Sequence, residues 1–502
     1  MRQGHGIFAF MSTPIKSSHH LISRASVNLA SSILQGILAL ALIPMATFVL
    51  GPEDYGVFGM AVVAAALVAA ACETGSAYVL YGSYSALNEP GRARLQSTLI
   101  ALALFLGLLA TVVILLIWPL LAHHVPLLSQ LTRSETWLLC LTIPLKTIWS
   151  IMNPILIVRG RSEWLAASLL IQSVVNMLVI LVCLYLIETG RSALFWGHSA
   201  GLLACMVVPM ILLHRSLWAP IEMRWLRQVY GVALGAWIAG LVENARATLE
   251  SALIVKAVSG EALGNYNHAR IYQGLMTQGA NAFANVLWPI ALKEAQLANS
   301  RFSRIRPIWD LVYAGLTCVG IGAVFLGDEL VRLLTHGKFV QAGAWLPWLV
   351  VYVLLQNAGK PVTAILYAEK KGNLYSKIRI SIVLMAMLVL MLLVPSYGVE
   401  AVLVVAIAEM LATRVWLTIA ARCVGIVPFQ DQWVVVGCLM IVLSWYVDHS
   451  FDLSTADRYI AVMALSCCVL SALILSMRIQ LGSGWRLYLF GPNALNLKEL
   501  ND

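Results

Sequence analysis

The chain has 502 residues, of which 60% are hydrophobic and 11% charged, and its formal net charge is +9. Its mean hydropathy is +0.83. A soluble chain is about 25% charged, so a soluble globular enzyme is excluded and a polytopic membrane protein is indicated. The basic residues sit in short loops between apolar runs, without interleaved aromatics. They read as the positive-inside bias of a membrane protein rather than as a nucleic-acid surface. The cysteines have no metal-ligand spacing and read as small packing residues. Ile7–Phe10 is too short for the apolar region of a secretory signal, and the segment before Ser23 reads as a loose cytoplasmic tail.

Apolar runs of about 20 residues, enough to cross a bilayer, recur along the whole chain. They predict helices at Ala25–Leu50, Gly56–Tyr78, Ser97–Leu120, Thr136–Val158, Trp164–Ile187, Ala193–Leu213 and Tyr230–Val255. Further helices are predicted at Asn265–Leu292, Pro307–Leu326, Ala342–Tyr367, Ile378–Val394, Val399–Ala420, Gln432–Val447 and Tyr459–Met477, about fourteen in all. No ten-residue alternating pattern repeats, so a β-barrel is not indicated.

Lys and Arg set the orientation. Arg92, Arg94, Arg159, Arg161, Arg215, Arg224, Arg227, Lys293, Arg301, Arg304, Lys370, Lys371, Lys377 and Arg379 all fall on even-to-odd connections. Those connections are expected to be cytoplasmic, together with both termini. The opposite side is acidic, with Glu53, Asp54, Asp328, Glu329, Asp448, Asp452 and Asp457. No connection is long enough to form a domain, which argues against membrane polymerases and ligases with a catalytic outer loop.

One motif occurs twice. Leu50-Gly51-Pro52-Glu53-Asp54-Tyr55-Gly56-Val57-Phe58-Gly59-Met60-Ala61 follows the first span. Val258-Ser259-Gly260-Glu261-Ala262-Leu263-Gly264-Asn265-Tyr266-Asn267-His268-Ala269 follows the seventh. Glu53, Gly56, Phe58 and Ala61 match Glu261, Gly264, Tyr266 and Ala269 in one register. Two copies of six spans keep the same orientation, as a parallel repeat about an axis along the membrane normal. The glycines suit a tight hairpin, and the acids suit helix N-termini. The expected organisation is a tail at 1–22, lobes at 23–215 and 216–425, two further helices at 426–480 and a tail at 481–502.

Charged residues inside spans are costly and mark candidate sites. The bases are Lys146, Arg246, Arg270 and Lys360, and the acids are Glu73, Glu243, Glu250 and Glu409. Glu243, Arg246 and Glu250 share one helix face by their spacing of three, four and seven residues. They form either an ion-pair stripe that fixes packing or the wall of a polar cavity. In the eighth span, Gln278, Asn281 and Asn285 lie on one side, and such a face should avoid lipid. Lys360-Pro361 combines a charge with a missing backbone donor, so a kink or break in the helix is expected there. No nucleophile elbow, phosphate loop or zinc-protease motif is present; no metal and no cofactor are expected.

The hairpin LGPEDYGVFGMA, its second copy GEALGNYNHARIY, and the stretch Leu333–Lys371 resemble the polysaccharide-export and oligosaccharide flippase family (Wzx-type). That family belongs to the multidrug/oligosaccharidyl-lipid/polysaccharide exporter superfamily, and the resemblance runs from about Ser23 to Ala420. It implies a two-lobed helical bundle (MATE-like) with a central cavity and alternating access. The implied substrate is an undecaprenyl-diphosphate-linked oligosaccharide crossing the bacterial inner membrane, with polysaccharide polymerase and chain-length partners. Arg246, Lys146, Lys360 and Arg270 would then attract the diphosphate or acidic sugars. Glu73, Glu243, Glu250 and Glu409 would hold those bases or couple to ions. A cation-coupled drug antiporter and a non-transporting envelope scaffold remain open as alternatives.

Overall fold

The computed structural model of the protein describes residues 18–84, 87–124, 126–225, 234–295, 306–368, 372–423, 432–451 and 453–481. Most of both tails, Arg227, Arg301, Arg304, Lys370 and Lys371 lie outside the described residues, as does the side chain of Asn285. The described residues form fifteen helices and no strand. In order they are α1 (Ser18–Val49), α2 (Pro52–Glu73), α3 (Ser76–Ser83), α4 (Glu89–His124), α5 (Pro126–Ser129), α6 (Arg133–Val158), α7 (Ser162–Tyr185) and α8 (Ser192–Leu217). Then follow α9 (Leu234–Ala257), α10 (Gly260–Ala295), α11 (Arg306–Thr335), α12 (Val340–Ala368), α13 (Gly372–Cys423), α14 (Gln432–Ser450) and α15 (Thr455–Leu481).

Ten of these helices are long and apolar enough to cross a membrane. Three more long helices, α9, α10 and α12, carry Arg246, Arg270 and Lys360. Helix α13 has 52 residues, about 78 Å at 1.5 Å per residue, against a hydrocarbon core of about 30 Å. It is bent into two arms at Gly398, whose φ of +60° and ψ of −137° leave the helical region. A side chain would strain that conformation. The arms correspond to the two spans predicted at Ile378–Val394 and Val399–Ala420. The architecture is therefore an all-α, multi-pass membrane protein consistent with about fourteen crossings.

Helices α1, α2, α4, α6, α7 and α8 pack on one another, and α9 to α13 form a second group. The last two helices, α14 and α15, both lie on α11. The two groups meet where α2 packs against α9 and α10, and α1 against α10 and α11. Here the repeated hairpins cross each other. A Cβ on Gly56 would meet the carbonyl oxygen of Gly260, and one on Gly264 would meet that of Pro52. The repeat thus forms a reciprocal contact in which only glycine fits on either side. Glu53 and Glu261 stand in the first turns of α2 and α10 as expected. The cap itself comes from Asp54, whose Oδ2 accepts the Gly51 amide at 3.1 Å.

Two local expectations change. The second span was expected to run to Tyr78, but α2 ends at Glu73 because Thr74 (φ +54°) and Gly75 (φ +71°) are both left-handed. Glu73 is therefore the last residue of its helix rather than an interior one. Helix α12 continues unbroken through Lys360-Pro361. The carbonyl left without a donor by Pro361 is that of Asn357, four residues earlier, and the Tyr313 hydroxyl donates to it at 3.4 Å. A donor from a neighbouring helix replaces the missing one, so no break is needed.

At the end that carries the basic connections, the segment after α8 is tied to α4. Ser97 Oγ donates to the Ala219 carbonyl at 2.6 Å, and the Glu222 amide donates to Thr98 Oγ1 at 3.0 Å. Glu222 also accepts from Arg94 at 2.7 Å and pairs with Arg224 at 2.5 Å.

The hairpin crossing predicts that Gly264→Ala lowers the unfolding midpoint in detergent, at a cost of about 1–3 kcal/mol. Gly274→Ala, on the same helix with open space around it, should leave the midpoint unchanged or raise it by up to about 1 kcal/mol. Equal effects would remove the steric argument. The Arg94 hydrogen bond, followed by Arg224, holds the Glu222 carboxyl below the usual carboxylate range. A depressed folded value stabilises the tether above the unfolded carboxylate pKa and loses it as pH falls through the folded value. Amide protection across residues 219–225, taken relative to the intrinsic exchange rate at each pH, should therefore fall on acidification, and Glu222→Gln should abolish that fall.

Candidate functional site

Helix α9 contributes Glu243, Arg246 and Glu250 on one face, as their spacing requires. Arg246 Nη2 lies 3.1 Å from Glu250 Oε2 on the same helix, and its Nε lies 2.7 Å from Glu409 Oε2 on α13. Glu409 presents its other oxygen to Arg379 Nη2 at 2.8 Å. Arg379 Nε reaches Glu243 Oε1 at 2.7 Å, and its Nη1 donates to Thr413 at 3.0 Å. Glu250 is joined by Arg270 of α10 at 3.8 Å and accepts from the Tyr266 hydroxyl at 2.6 Å. Arg270 also lies over the Tyr266 ring at 5.8 Å.

Three guanidinium groups thus face three carboxylates across α9, α10 and α13. The Glu409 side chain is fully buried and that of Glu250 is 2% exposed. An isolated charge at that depth costs several kcal/mol, which only close and multiple pairing offsets. Arg379 is the member that the sequence reading placed among the cytoplasmic connections. Its signal was the imbalance itself, because Glu243, Glu250 and Glu409 outnumber Arg246 and Arg270 on these helices. Tyr266 was noted only as a repeat position, and its hydroxyl role has no sequence signal.

Beside the network lies a cavity of about 370 Å³. Glu243, Asn281, Gln356, Lys360, Arg379 and Thr413 supply its polar wall, with Met410 and Leu417 among the apolar lining. Lys360 Nζ donates to Asn357 Oδ1 at 2.7 Å and to Asn281 Oδ1. Both partners are neutral, and no carboxylate among the described residues pairs with Lys360. Among the described residues, its charge is therefore the one in this wall without a counter-ion. Of the predicted polar face of α10, Asn281 reaches the cavity, whereas Gln278 is exposed and outside the lining.

The remaining two charged positions lie apart. Lys146 belongs to α6 in the first group of helices, and its Nζ donates to the Val62 carbonyl at 3.4 Å. Glu73 ends α2 and makes no ion pair among the described residues. Of the eight charges, Glu243 and Lys360 line this cavity, and Arg246, Glu250, Arg270 and Glu409 pair beside it. Every residue lining the cavity comes from α9, α10, α12 and α13. The charges on α9, α10 and α13 neutralise one another locally because their helices are packed neighbours. Among the described residues, no three His, Cys, Asp or Glu side chains are placed to hold a metal ion.

A family model described as polysaccharide biosynthesis protein matches residues 47–334. Among curated proteins no relative matches. Solved structures share the fold at low identity. The lipid II flippase MurJ, in an inward closed conformation, is similar with a TM-score of 0.66 and 12% identity, over 91% of this chain and 99% of that one. An inward-facing multidrug resistance MATE family transporter of the MOP superfamily has a TM-score of 0.60 and 14% identity, over 80% and 99% of the two chains. A MOP superfamily transporter from Pyrococcus furiosus gives 0.58 and 15%, over 89% and 99%.

The network predicts unequal costs for its carboxylates. Glu409→Gln leaves Arg246 and Arg379 short of a buried partner and should cost about 3–5 kcal/mol. Glu243 is 44% exposed in its pair, so Glu243→Gln should cost about 0–1 kcal/mol. Thermal midpoints of the two variants by fluorescence-detected size exclusion would separate them, and equal shifts would contradict the shared-network account.

Proposed function

Because the chain belongs to the polysaccharide biosynthesis protein family, we propose that it is a transporter that flips a lipid-linked oligosaccharide across the bacterial inner membrane. Its substrate is an undecaprenyl-diphosphate-linked sugar unit, moved from the cytoplasmic to the periplasmic leaflet for surface polysaccharide assembly. A polysaccharide polymerase and chain-length proteins would act on what it delivers. The basic end and both termini face the cytoplasm, and residues 23–215 and 216–425 are the lobes that move against each other.

The observation that carries this reading is Lys360. It is a cation at bilayer depth in a polar cavity, with amide partners and no acid. An anionic headgroup supplies the missing counter-charge, and the low dielectric makes that attraction strong. The three arginines already meet carboxylates, so they attract an anion less than Lys360 does. Arg379 is the arginine on the cavity wall, and Glu243 opposite it shares its charge. Arg246 and Arg270 act by shaping the wall. Lys146, which donates to the Val62 carbonyl and has no ion pair among the described residues, is the counterpart cation in the other lobe. The crossing of the two hairpins supports a state that is closed at the periplasmic end and loaded from the cytoplasm.

A cation-coupled antiporter is favoured by one observation, the half-exposed Glu243 carboxylate on the cavity wall. The two readings separate in a deletion strain complemented with variants. Lys360→Gln should strand lipid-linked glycan on the inner leaflet and lower export about tenfold or more, whereas Lys360→Arg should retain export. Wild-type export by a well-folded Lys360→Gln protein would sink the assignment of this site. Proton-dependent efflux of small organic cations, with glycan export unaffected by deletion, would establish the antiporter instead.

A further inference from the structure

A second cavity, of about 680 Å³, has Asp328, Glu400 and Asp448 of the acidic connections in its lining. Its walls are the second arm of α13 and the end of α14, and its floor is α11 and α12. Helix α14 packs on α11 and α12, so the cleft opens sideways between α13 and α14. The lining is graded with depth. Asp328, Glu400, Asp448 and His449 stand near the helix ends, and Trp345, Trp348 and Trp445 form a belt below them. Deeper still are Val404, Ile407 and Leu411, which follow Glu400 down α13 over 11 residues, about 16 Å at 1.5 Å per residue.

The rim is acidic beyond its own compensation. Asp448 is paired with Arg458 at 3.1 Å. Asp328 and Glu400 make no ion pair among the described residues, and both are exposed. Asp328 is also held in place, since its carboxylate lies against Gly343, where any Cβ would collide with it. Trp348 and Trp445 stand 5.6 Å apart at 58°, and Trp445 lies 4.4 Å from His449. Tryptophan faces with nearby carboxylates are the chemistry that holds an alkylammonium ion. An apolar slot beneath such a cage, open to the bilayer, fits an acyl chain.

We propose that this cleft binds a membrane phospholipid with a primary-amine headgroup. The ammonium sits between Asp328 and Glu400 against the tryptophan belt, and one acyl chain runs down past Val404 and Leu411. The phosphate projects sideways through the opening into the headgroup layer. The site is separate from the Lys360 cavity in its lining residues and opposite to it in charge, and it stands whether or not the transport reading holds.

The test uses the full-length protein in detergent, incubated with equal amounts of phosphatidylethanolamine and phosphatidylglycerol of the same acyl chains, with bound lipid read by native mass spectrometry. Phosphatidylethanolamine should be retained selectively. The Asp328→Asn, Glu400→Gln double variant should lose that retention about tenfold. Ala408→Phe, which fills the slot without touching a charge, should lose it as well. Both acids are exposed and unpaired, so the double variant is expected to fold, with its elution profile as the check. Equal retention of the two lipids, retention of neither, or undiminished retention by both variants would overturn the proposal.

Discussion

The constraint on which the second half of the bundle depends is charge neutrality inside the bilayer. Glu409 bridges Arg246 of α9 and Arg379 of α13, and its burial is tolerable because both are present. That requirement fixes the approach of α9 and α13 and the depth at which Arg379 must enter. It also explains how α9 and α10 can carry several charges and amides each and still occupy the interior. Their polar faces meet one another rather than lipid.

Neutrality also decides what the cavity presents. Once three arginines and three glutamates have cancelled, the residual field comes from Lys360, held by two asparagine side chains. Amides orient the ammonium without quenching it, whereas a carboxylate would do both. Lys146 on α6 has the same character, with a single backbone carbonyl as partner. Lys146 and Lys360 thus both stand outside the ion pairs among the described residues, on helices that the sequence repeat places in corresponding positions.

Much of the fold was legible because hydrophobic length and the spacing of basic turns are strong signals. The two arms of α13 were readable as separate spans at Ile378–Val394 and Val399–Ala420, though not the residue that turns between them, and the paired hairpins were readable from one repeated motif. The site was legible only in part. Spacing placed Glu243, Arg246 and Glu250 on one face, and depth picked out Glu409 and Lys360. Which acid met which base was not readable, since pairing across helices depends on packing that no local pattern encodes. Arg379 was hidden because it follows a basic turn, where arginines normally meet water. Glu73 was misplaced because the two left-handed residues after it, Thr74 and Gly75, include one that is not glycine.

The crossing of α2 over α10 has a mechanical consequence. Neither backbone there carries a side chain that interlocks with the other at Gly56 and Gly264. Around those two points the side chains of Tyr55 and Met60 are buried with Leu263 and Tyr266 in one apolar cluster, and Tyr55 stands edge-on to His268 at 5.6 Å; such contacts lose about a quarter to a half of their strength over a gap of 0.5–1 Å. Such a seam cannot yield gradually. It behaves as a latch with two settings, and it can part without stripping water from an ion or breaking a salt bridge. The work of releasing it is then set by the apolar surface that both helices would expose, not by any charge.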